Sequence, residues 1–284
     1  MTITLGGKEL TSPSTETARL SMLLWGSSGC GKTTLFGTFP GKKLLINFDT
    51  DGQNALSGDN DTLVLDYSKE PDGAVEKFKE QNPLGLDKFL TEHPEIQSVG
   101  IDSLTTFGNK ALQHGVKIAR STAKGKFSTI EDPGYSGFGN KNTWTQLLVK
   151  NILEVTGKHN RHVCFIAHED KPTTDTNGAV LYISIMLGSS LNQQVPVNIS
   201  EIWRLSDNGK ERRIAIRPCR GYKPMKTRMF LTTEGPEFIW NYDRETREGN
   251  TMAEWIDRWR SKGDKLSLPT GTESTKGGKT SKRS

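Results

Sequence analysis

This 284-residue sequence has few long hydrophobic runs and only three cysteines, and its mean hydropathy is −0.58. A membrane-spanning helix needs about 20 consecutive apolar residues, so we expect no membrane partner. The three cysteines, Cys30, Cys164 and Cys219, lie far apart and lack the spacing of a metal site or a disulfide framework. The first residues also lack the charged-then-apolar layout of a signal peptide. We therefore expect a cytoplasmic protein.

Acidic residues are outnumbered, and the net charge is +5. From Lys262 onward there are six basic and two acidic residues, so the tail holds most of the excess. A second basic block covers residues 210–228, with eight basic residues and only Glu211 as an acid. That block is typical either of a solvated hairpin or of a surface that faces phosphates.

The most informative pattern is present at residues 26–33, which match G-x-x-x-x-G-K-[ST]. An apolar segment, residues 20–25, precedes it, and a short helix is predicted to follow before Pro40. Backbone N–H groups of such a loop surround a phosphate, and the helix N-terminus adds partial positive charge. The residues predicted to bind the nucleotide are Gly26, Ser27, Ser28, Gly29, Cys30, Gly31, Lys32, Thr33 and Thr34.

The pattern predicts ATP and Mg²⁺ as cofactors, with Lys32 at the β- and γ-phosphates and the Thr33 hydroxyl on the metal. A carboxylate at the end of another apolar strand normally completes the metal shell. Asp102 ends the segment Val99-Gly100-Ile101-Asp102 and is the predicted metal residue. The alternative is that Asp102 caps the helix that starts at Leu104.

Short apolar strands alternate with helices up to about Lys171. Strand-like segments parted by turns follow, at residues 180–187, 199–205, 213–217, 227–232 and 237–240. This order predicts an α/β fold with a mostly parallel sheet flanked by helices and extended by antiparallel strands. Residues 121–142 are predicted to be a long loop. Met252, Trp255, Ile256 and Trp259 have helical spacing, which predicts a last helix packed on the core.

Hydrolysis also requires a group that orients water near the phosphate loop. Asp49 and Asp51 follow the second predicted strand, and His168 and Glu169 follow a later one. Carboxyl ends of parallel strands meet at one edge of a sheet, so all four are candidates.

The phosphate loop, the strand end Ile101-Asp102-Ser103-Leu104 and the segment Phe165-Ile166-Ala167-His168 together resemble a RecA-like P-loop ATPase core. The layout is similar to the small phage core-only RecA-related single-strand annealing ATPases (Sak-type). The resemblance implies a RecA-like ATPase domain (19–261). Composition predicts an N-terminal arm (1–18), either loose or an edge strand, and a disordered basic tail (262–284).

In the RecA pattern a glutamate activates water, and Asp51 occupies its place here with a side chain one methylene shorter. The base is therefore either Asp51 or a longer water bridge. The same resemblance makes His168 the sensor of the γ-phosphate. It implies that Arg217 and Arg220, in the basic block, complete the site of a neighbouring subunit.

Cations and rings alternate in the predicted loop at residues 121–142, as in surfaces that bind single-stranded DNA. The residues predicted to contact DNA are Lys124, Lys126, Tyr135, Phe138 and Lys141. The alternative is a solvated loop with its rings tucked onto the core.

The resemblance implies an ATP-hydrolysing homo-oligomer, ring or filament, that binds single-stranded DNA and promotes annealing or pairing in phage recombination. A single-strand binding protein is a further expected partner. The alternatives are a nucleotide-gated scaffold with little turnover and, less favoured because no helicase or nuclease domain is attached, a motor.

Overall fold

The computed structural model describes residues 4–9, 18–122, 126–188, 190–230 and 235–262. The strands are β1 (Thr4–Leu5), β2 (Lys8–Glu9), β3 (Ser21–Gly26), β4 (Lys42–Asn47), β5 (Thr62–Asp66), β6 (Ile96–Asp102), β7 (His162–His168), β8 (Thr173–Thr174), β9 (Val180–Tyr182), β10 (Glu201–Asp207), β11 (Arg212–Ala215) and β12 (Glu237–Ile239). The α-helices are α1 (Lys32–Gly37), α2 (Leu86–Glu92), α3 (Leu104–Arg120), α4 (Gly134–Lys158), α5 (Leu191–Val197) and α6 (Met252–Lys262). Short 3₁₀ helices cover Gly52–Leu56, Asp72–Phe78 and Pro83–Gly85.

The central sheet has eight strands in the order β12-β11-β10-β3-β7-β6-β4-β5. Neighbours from β10 to β5 are parallel, whereas β10, β11 and β12 pair antiparallel. The predicted fold class is confirmed. Gly26 pairs with His168 and Asn47 pairs with Asp102, so the carboxyl ends of β3, β4, β6 and β7 meet at one edge of the sheet.

Alternate residues of each strand point to opposite faces of the sheet. Leu23 and Trp25 of β3 belong to a core that includes Phe107 of α3 and Leu148 of α4. Their neighbours on the opposite face join a second core, to which α1 and α6 contribute. Met252, Trp255, Ile256 and Trp259 are all buried in that second core, as predicted from their spacing.

Helices α1 and α6 meet end to end at Thr38. The Thr38 hydroxyl accepts a hydrogen bond from the Met252 backbone N–H at 3.0 Å. The Thr38 carbonyl accepts one from the Ala253 N–H, also at 3.0 Å. The end of the helix that follows the phosphate loop thus supplies acceptors to the first N–H groups of the last helix.

The prediction of a loop through residue 142 is wrong, because α4 begins at Gly134. Glycines disfavour helix by propensity, but here they allow two helices to approach closely. A Cβ on Gly115 of α3 would lie 2.9 Å from Asn140 Cβ and 3.3 Å from the Gly137 carbonyl oxygen. Tertiary packing therefore overrides the local preference.

The helices in the part of the chain that the structure describes lack the combination of length and apolar character that crossing a membrane requires.

Two strand predictions in the second half are also wrong. The segment predicted from Val180 to Leu187 is a strand only to Tyr182. In the predicted strand 227–232, the described residues to 230 form no strand. The buried Glu201 carboxylate accepts hydrogen bonds from the N–H groups of Arg228 (2.6 Å) and Met229 (3.0 Å), so a side chain replaces the strand partner.

Candidate nucleotide site

The phosphate loop follows β3 directly and needs glycine where the chain touches its neighbours. A Cβ on Gly26 would lie 2.0 Å from the Leu205 carbonyl oxygen of β10, so no other residue fits. Gly31 adopts φ 100°, a left-handed conformation that favours glycine, just before α1 begins at Lys32. Ser28, Gly29 and Gly31 of the loop border the cavity at the carboxyl edge of the sheet.

Lys32 is buried and turned onto its own loop. Its ammonium Nζ donates to the carbonyl oxygens of Gly26 at 3.0 Å and Ser27 at 2.7 Å. Lys32 also borders the cavity, so its charge lies beside the predicted phosphate site.

Thr33 and Asp102, the two predicted metal residues, lie in contact. The Thr33 hydroxyl donates to Asp102 Oδ2 at 2.6 Å. Burial, followed by the nearby Asp49 charge, raises the pKa of Asp102 to about 6, although Thr33 and Lys32 act in the opposite direction. The helix cap of α3 is Ser103, whose hydroxyl accepts from the Thr106 N–H at 3.2 Å, so the capping alternative for Asp102 is wrong.

Asp49 is the most heavily hydrogen-bonded carboxylate of the site. Its Oδ1 accepts from the hydroxyls of Ser103 (2.8 Å) and Thr106, and its Oδ2 contacts His168 Nε2 at 2.8 Å. Burial acts to raise the pKa of Asp49, but the hydrogen bonds from His168, Thr106 and Ser103 outweigh it and lower the pKa. A neutral His168 that donates its single N–H to Asp49 has none left for a phosphate.

The other two water-activating candidates are placed differently. Asp51 borders the same cavity, but it is exposed and has a left-handed backbone with φ 60°. Glu169 is turned to Arg204 of β10, with 2.7 Å between Oε2 and Nε. Arg204 in turn lies over the Tyr222 ring at 3.9 Å, so Glu169 is held in a structural ion pair.

The two arginines predicted to act across a subunit interface lie beyond β11. Arg217 donates to the Phe230 carbonyl oxygen. Arg220 is exposed and pairs with Glu237 of β12, with 2.7 Å between Nη2 and Oε1. Neither residue borders the cavity at the phosphate loop of its own chain.

The predicted DNA residues do not share one surface. Lys124 lies outside the described residues. Lys126 and Phe127, just before α4, are exposed. In the first turns of α4, Tyr135 is fully and Phe138 half exposed. Lys141 turns inward, where its side chain is 3.3 Å from a Cβ position at Gly108. Burial lowers the pKa of Lys141, against the opposing charge of Asp170.

The cavity beside the phosphate loop measures about 530 Å³, within the range of small-molecule sites. It is lined by Lys32, Thr33, Asp49, Asp102 and His168. It also contains Arg212 and Arg244, which the sequence interpretation left unassigned. The dense basic block was a signal for Arg212, but nothing local marks Arg244.

The donor set fits a magnesium ion that is bound together with nucleotide. The Thr33 hydroxyl and the Asp102 carboxylate offer hard oxygen ligands, which Mg²⁺ prefers. Within the part of the chain that the structure describes, no group of three His, Cys, Asp or Glu side chains could hold a metal alone. Phosphate oxygens and water would therefore supply the remaining ligands.

The chain is similar to a known family and to a solved structure. The RadB recombinase crystal structure is similar over 78% of this chain and 87% of that chain, at 16% identity and a TM-score of 0.41. No curated protein matches the sequence at a significant level. The model of the AAA domain family AAA_24 matches residues 18–238. This match spans the phosphate loop and the whole parallel sheet, and the chain belongs to that AAA domain family.

Proposed function

We propose that this protein binds ATP with Mg²⁺ and hydrolyses it in the cavity beside the phosphate loop. The observation that carries the proposal is the convergence of Lys32, the Thr33–Asp102 pair and the Asp49–His168 pair in one cavity. When bound, Mg²⁺ would neutralise charge on the phosphates. Lys32 would exchange its carbonyl partners for the β- and γ-phosphate oxygens.

Asp49 is the proposed water-orienting carboxylate, in preference to Asp51. Three donors fix its orientation, and its lowered pKa keeps it ionised at neutral pH. An ionised carboxylate accepts a hydrogen bond from water and directs the lone pair of the water oxygen at the γ-phosphorus. His168 acts through Asp49 and is a positioning residue in this scheme.

Single-stranded DNA is the proposed polymer ligand. Lys126, Phe127, Tyr135 and Phe138, called here the aromatic surface, offer exposed rings and a cation. Bases stack on such rings without sequence preference, and cations contact phosphates. Following the RecA resemblance, the finer proposal is a cytoplasmic homo-oligomer that promotes annealing or pairing in phage DNA recombination, with a single-strand binding protein as partner.

The test is ATP hydrolysis by the full chain with and without oligo-dT, and with duplex DNA as a comparison. Stimulation by oligo-dT supports the proposal. If the rate of hydrolysis is the same with and without DNA, or if nucleotide binds without turnover, a nucleotide-gated scaffold is favoured instead.

The aromatic surface is tested by changing Tyr135 and Phe138 to Ala. Each lost stack costs about 1–3 kcal/mol of binding free energy, with little change in the salt dependence of binding. Val197→Ala is the matched control, since Val197 is an exposed apolar residue on α5. Equal affinity of the double variant and the control would remove the aromatic surface from the proposal.

The shared-site proposal for Arg217 and Arg220 is tested by mixing. Arg217→Ala and Arg220→Ala should each bind ATP nearly as the wild type does but hydrolyse it slowly. Addition of a Lys32→Ala protein should restore some turnover if these arginines act on a neighbouring subunit. Absence of rescue at every ratio, with assembly verified by light scattering, contradicts a shared site.

A further inference from the structure

Two arginines of the same chain border the cavity at the phosphate loop. Arg212 begins β11, and its Cδ lies 3.6 Å from the position a Cβ would take on Gly31. Because Gly31 has no side chain, the arginine stem lies directly against the phosphate loop. The Arg212 Nε atom is 3.1 Å from Asp207 Oδ2, so one carboxylate holds it at the mouth of the cavity.

Arg244 reaches the cavity from a hairpin at residues 241–250, called here the arginine hairpin. Backbone hydrogen bonds close it, from the Asp243 N–H to the Glu248 carbonyl (2.8 Å) and from Asn250 to Asn241 (2.7 Å). Arg244 Nη2 donates to the Asn54 carbonyl oxygen at 2.8 Å. Among the described residues no carboxylate lies within ion-pair distance of Arg244, so its charge is available to an anion.

The arginine hairpin also contacts the segment that follows Asn54. Arg247 donates to the Gly58 carbonyl oxygen and lies 4.0 Å from Asp59. Tyr242 stacks on the buried Trp240 ring, with 5.6 Å between centroids and 5° between planes. Tyr242 and Arg244 border an adjoining cavity together with Thr34. The arginine hairpin therefore borders both cavities, which share Thr34 and Arg244 as lining residues.

The cavity is lined both by carboxylates and by arginines, and these do not pair with one another. Asp49, Asp102 and His168 are the residues proposed above to act at the γ-phosphate. Arg212 lies against Gly31 and Arg244 donates to Asn54, and among the described residues neither arginine forms an ion pair with a carboxylate of the cavity. A nucleotide with its γ-phosphate at Asp49 and Asp102 has two further phosphates and a nucleoside that remain for these arginines.

We propose that Arg212 and Arg244 bind the nucleoside diphosphate part of the nucleotide within their own chain. Arg212 binds the phosphates next to Gly31. Arg244 leaves the Asn54 carbonyl and contacts the nucleoside, which the arginine hairpin then covers. This inference rests on the proposed ATP site.

The variants Arg212→Gln and Arg244→Gln test it. Both arginines would contact the part shared by ADP and ATP, so the Kd for both nucleotides should rise equally. A lost charge-assisted hydrogen bond predicts a rise of about tenfold. KM should rise with kcat little changed, since the contact is the same in ground and transition states. Arg258→Gln, an exposed arginine on α6, is the matched control and should bind like the wild type.

Competition by inorganic pyrophosphate separates the two roles. Arg212→Gln should weaken pyrophosphate and ADP alike, whereas Arg244→Gln should weaken ADP and leave pyrophosphate unchanged. Hydrogen exchange in the wild-type chain gives a readout that needs no variant, and ADP should protect the backbone of residues 241–250.

Several outcomes overturn the inference. Variants that bind ADP like the wild type, or that lose ATP affinity alone, exclude contact with the shared diphosphate. Unchanged exchange in residues 241–250 on ADP binding excludes the hairpin as a cover. If the wild type binds neither nucleotide, the proposed function itself fails, which distinguishes that failure from failure of the arginine assignment.

Discussion

The two sides of the nucleotide cavity are built by different means. The carboxylate side (Asp49, Asp102 and His168) lies at or just after the ends of the parallel strands β4, β6 and β7. The arginine side (Arg212 and Arg244) comes from the antiparallel strand β11 and the arginine hairpin. Arg212 is positioned by the same sheet as the carboxylates, at the start of β11, whereas Arg244 is positioned by the contacts of the arginine hairpin. We therefore expect the carboxylate side to govern turnover and the arginine side to govern affinity.

Lys32→Ala should have the largest effect, because Lys32 serves both sides. The variant loses the ammonium that offsets charge on the phosphates, so hydrolysis should fall by at least about a hundredfold and ATP binding should weaken as well. Phosphate release and nucleotide titration measure the two losses. Turnover like that of the wild type would contradict the assignment of the phosphate loop.

Asp49→Asn should reduce kcat by about a hundredfold and change the Kd for ATP by much less. An amide is a poor acceptor for the water proton and has nearly the same shape. Asp51→Asn is the matched control, because Asp51 borders the same cavity but is exposed and lacks the hydrogen bonds that fix Asp49. If Asp51→Asn loses turnover and Asp49→Asn does not, the RecA-based alignment of the base is right and the proposal for Asp49 is wrong.

Asp102→Asn should change how stability depends on pH. The pKa of Asp102 rises from 3.8 to about 6 on folding. Between these values the folded protein keeps a proton that the unfolded chain releases, so the free energy of unfolding falls as pH rises. The fall attributable to Asp102 is on the order of 2–3 kcal/mol.

Urea unfolding without Mg²⁺ or nucleotide, at pH 4 and pH 7, measures this effect. The Asn variant should lose that part of the pH dependence and gain stability at pH 7 relative to the wild type. If the free energy of unfolding changes between pH 4 and pH 7 by the same amount in the variant and in the wild type, ionisation of Asp102 does not destabilise the folded protein.

Asp207→Asn should have the smallest effect and the opposite sign for affinity. It removes the carboxylate charge beside Arg212, while Asn can still accept the Gly209 N–H bond that Asp207 Oδ1 accepts at 2.7 Å. Exposed pairs of this kind contribute about 0.2–1 kcal/mol, so ADP affinity should rise by no more than about fivefold. Calorimetric titration measures it, and a weaker affinity would show that Asp207 orients Arg212 for binding.

The parallel half could be predicted from the sequence because its strands are short apolar runs bounded by turn residues. The ends of those runs located Lys32, Asp102 and the four candidate residues at one edge of the sheet. The resemblance aligned the base with Asp51, whereas our proposal prefers Asp49. The hydroxyls that fix Asp49 come from Ser103 and Thr106, which are more than fifty residues away and could not be read from the local sequence.

Three other features could not be predicted from the sequence for a related reason. Residues 227–230 have the composition of a strand, but the buried carboxylate of Glu201 binds their backbone. The start of α4 has the composition of a loop, but close packing against α3 makes it helical. Arg244 enters the nucleotide cavity only because the chain folds back from position 244 to position 54. Each case depends on a long-range contact that local patterns do not encode.

The junction at Thr38 has a consequence for synthesis on the ribosome. The helix that follows the phosphate loop is translated more than 200 residues before Met252 and Ala253, which bond to its last turn. A nascent chain that stops before α6 has the whole phosphate loop but leaves Leu35 and Phe36 without the Trp255 side of their shared core. The helix that follows the phosphate loop therefore gains these packing partners only after α6 has left the exit tunnel.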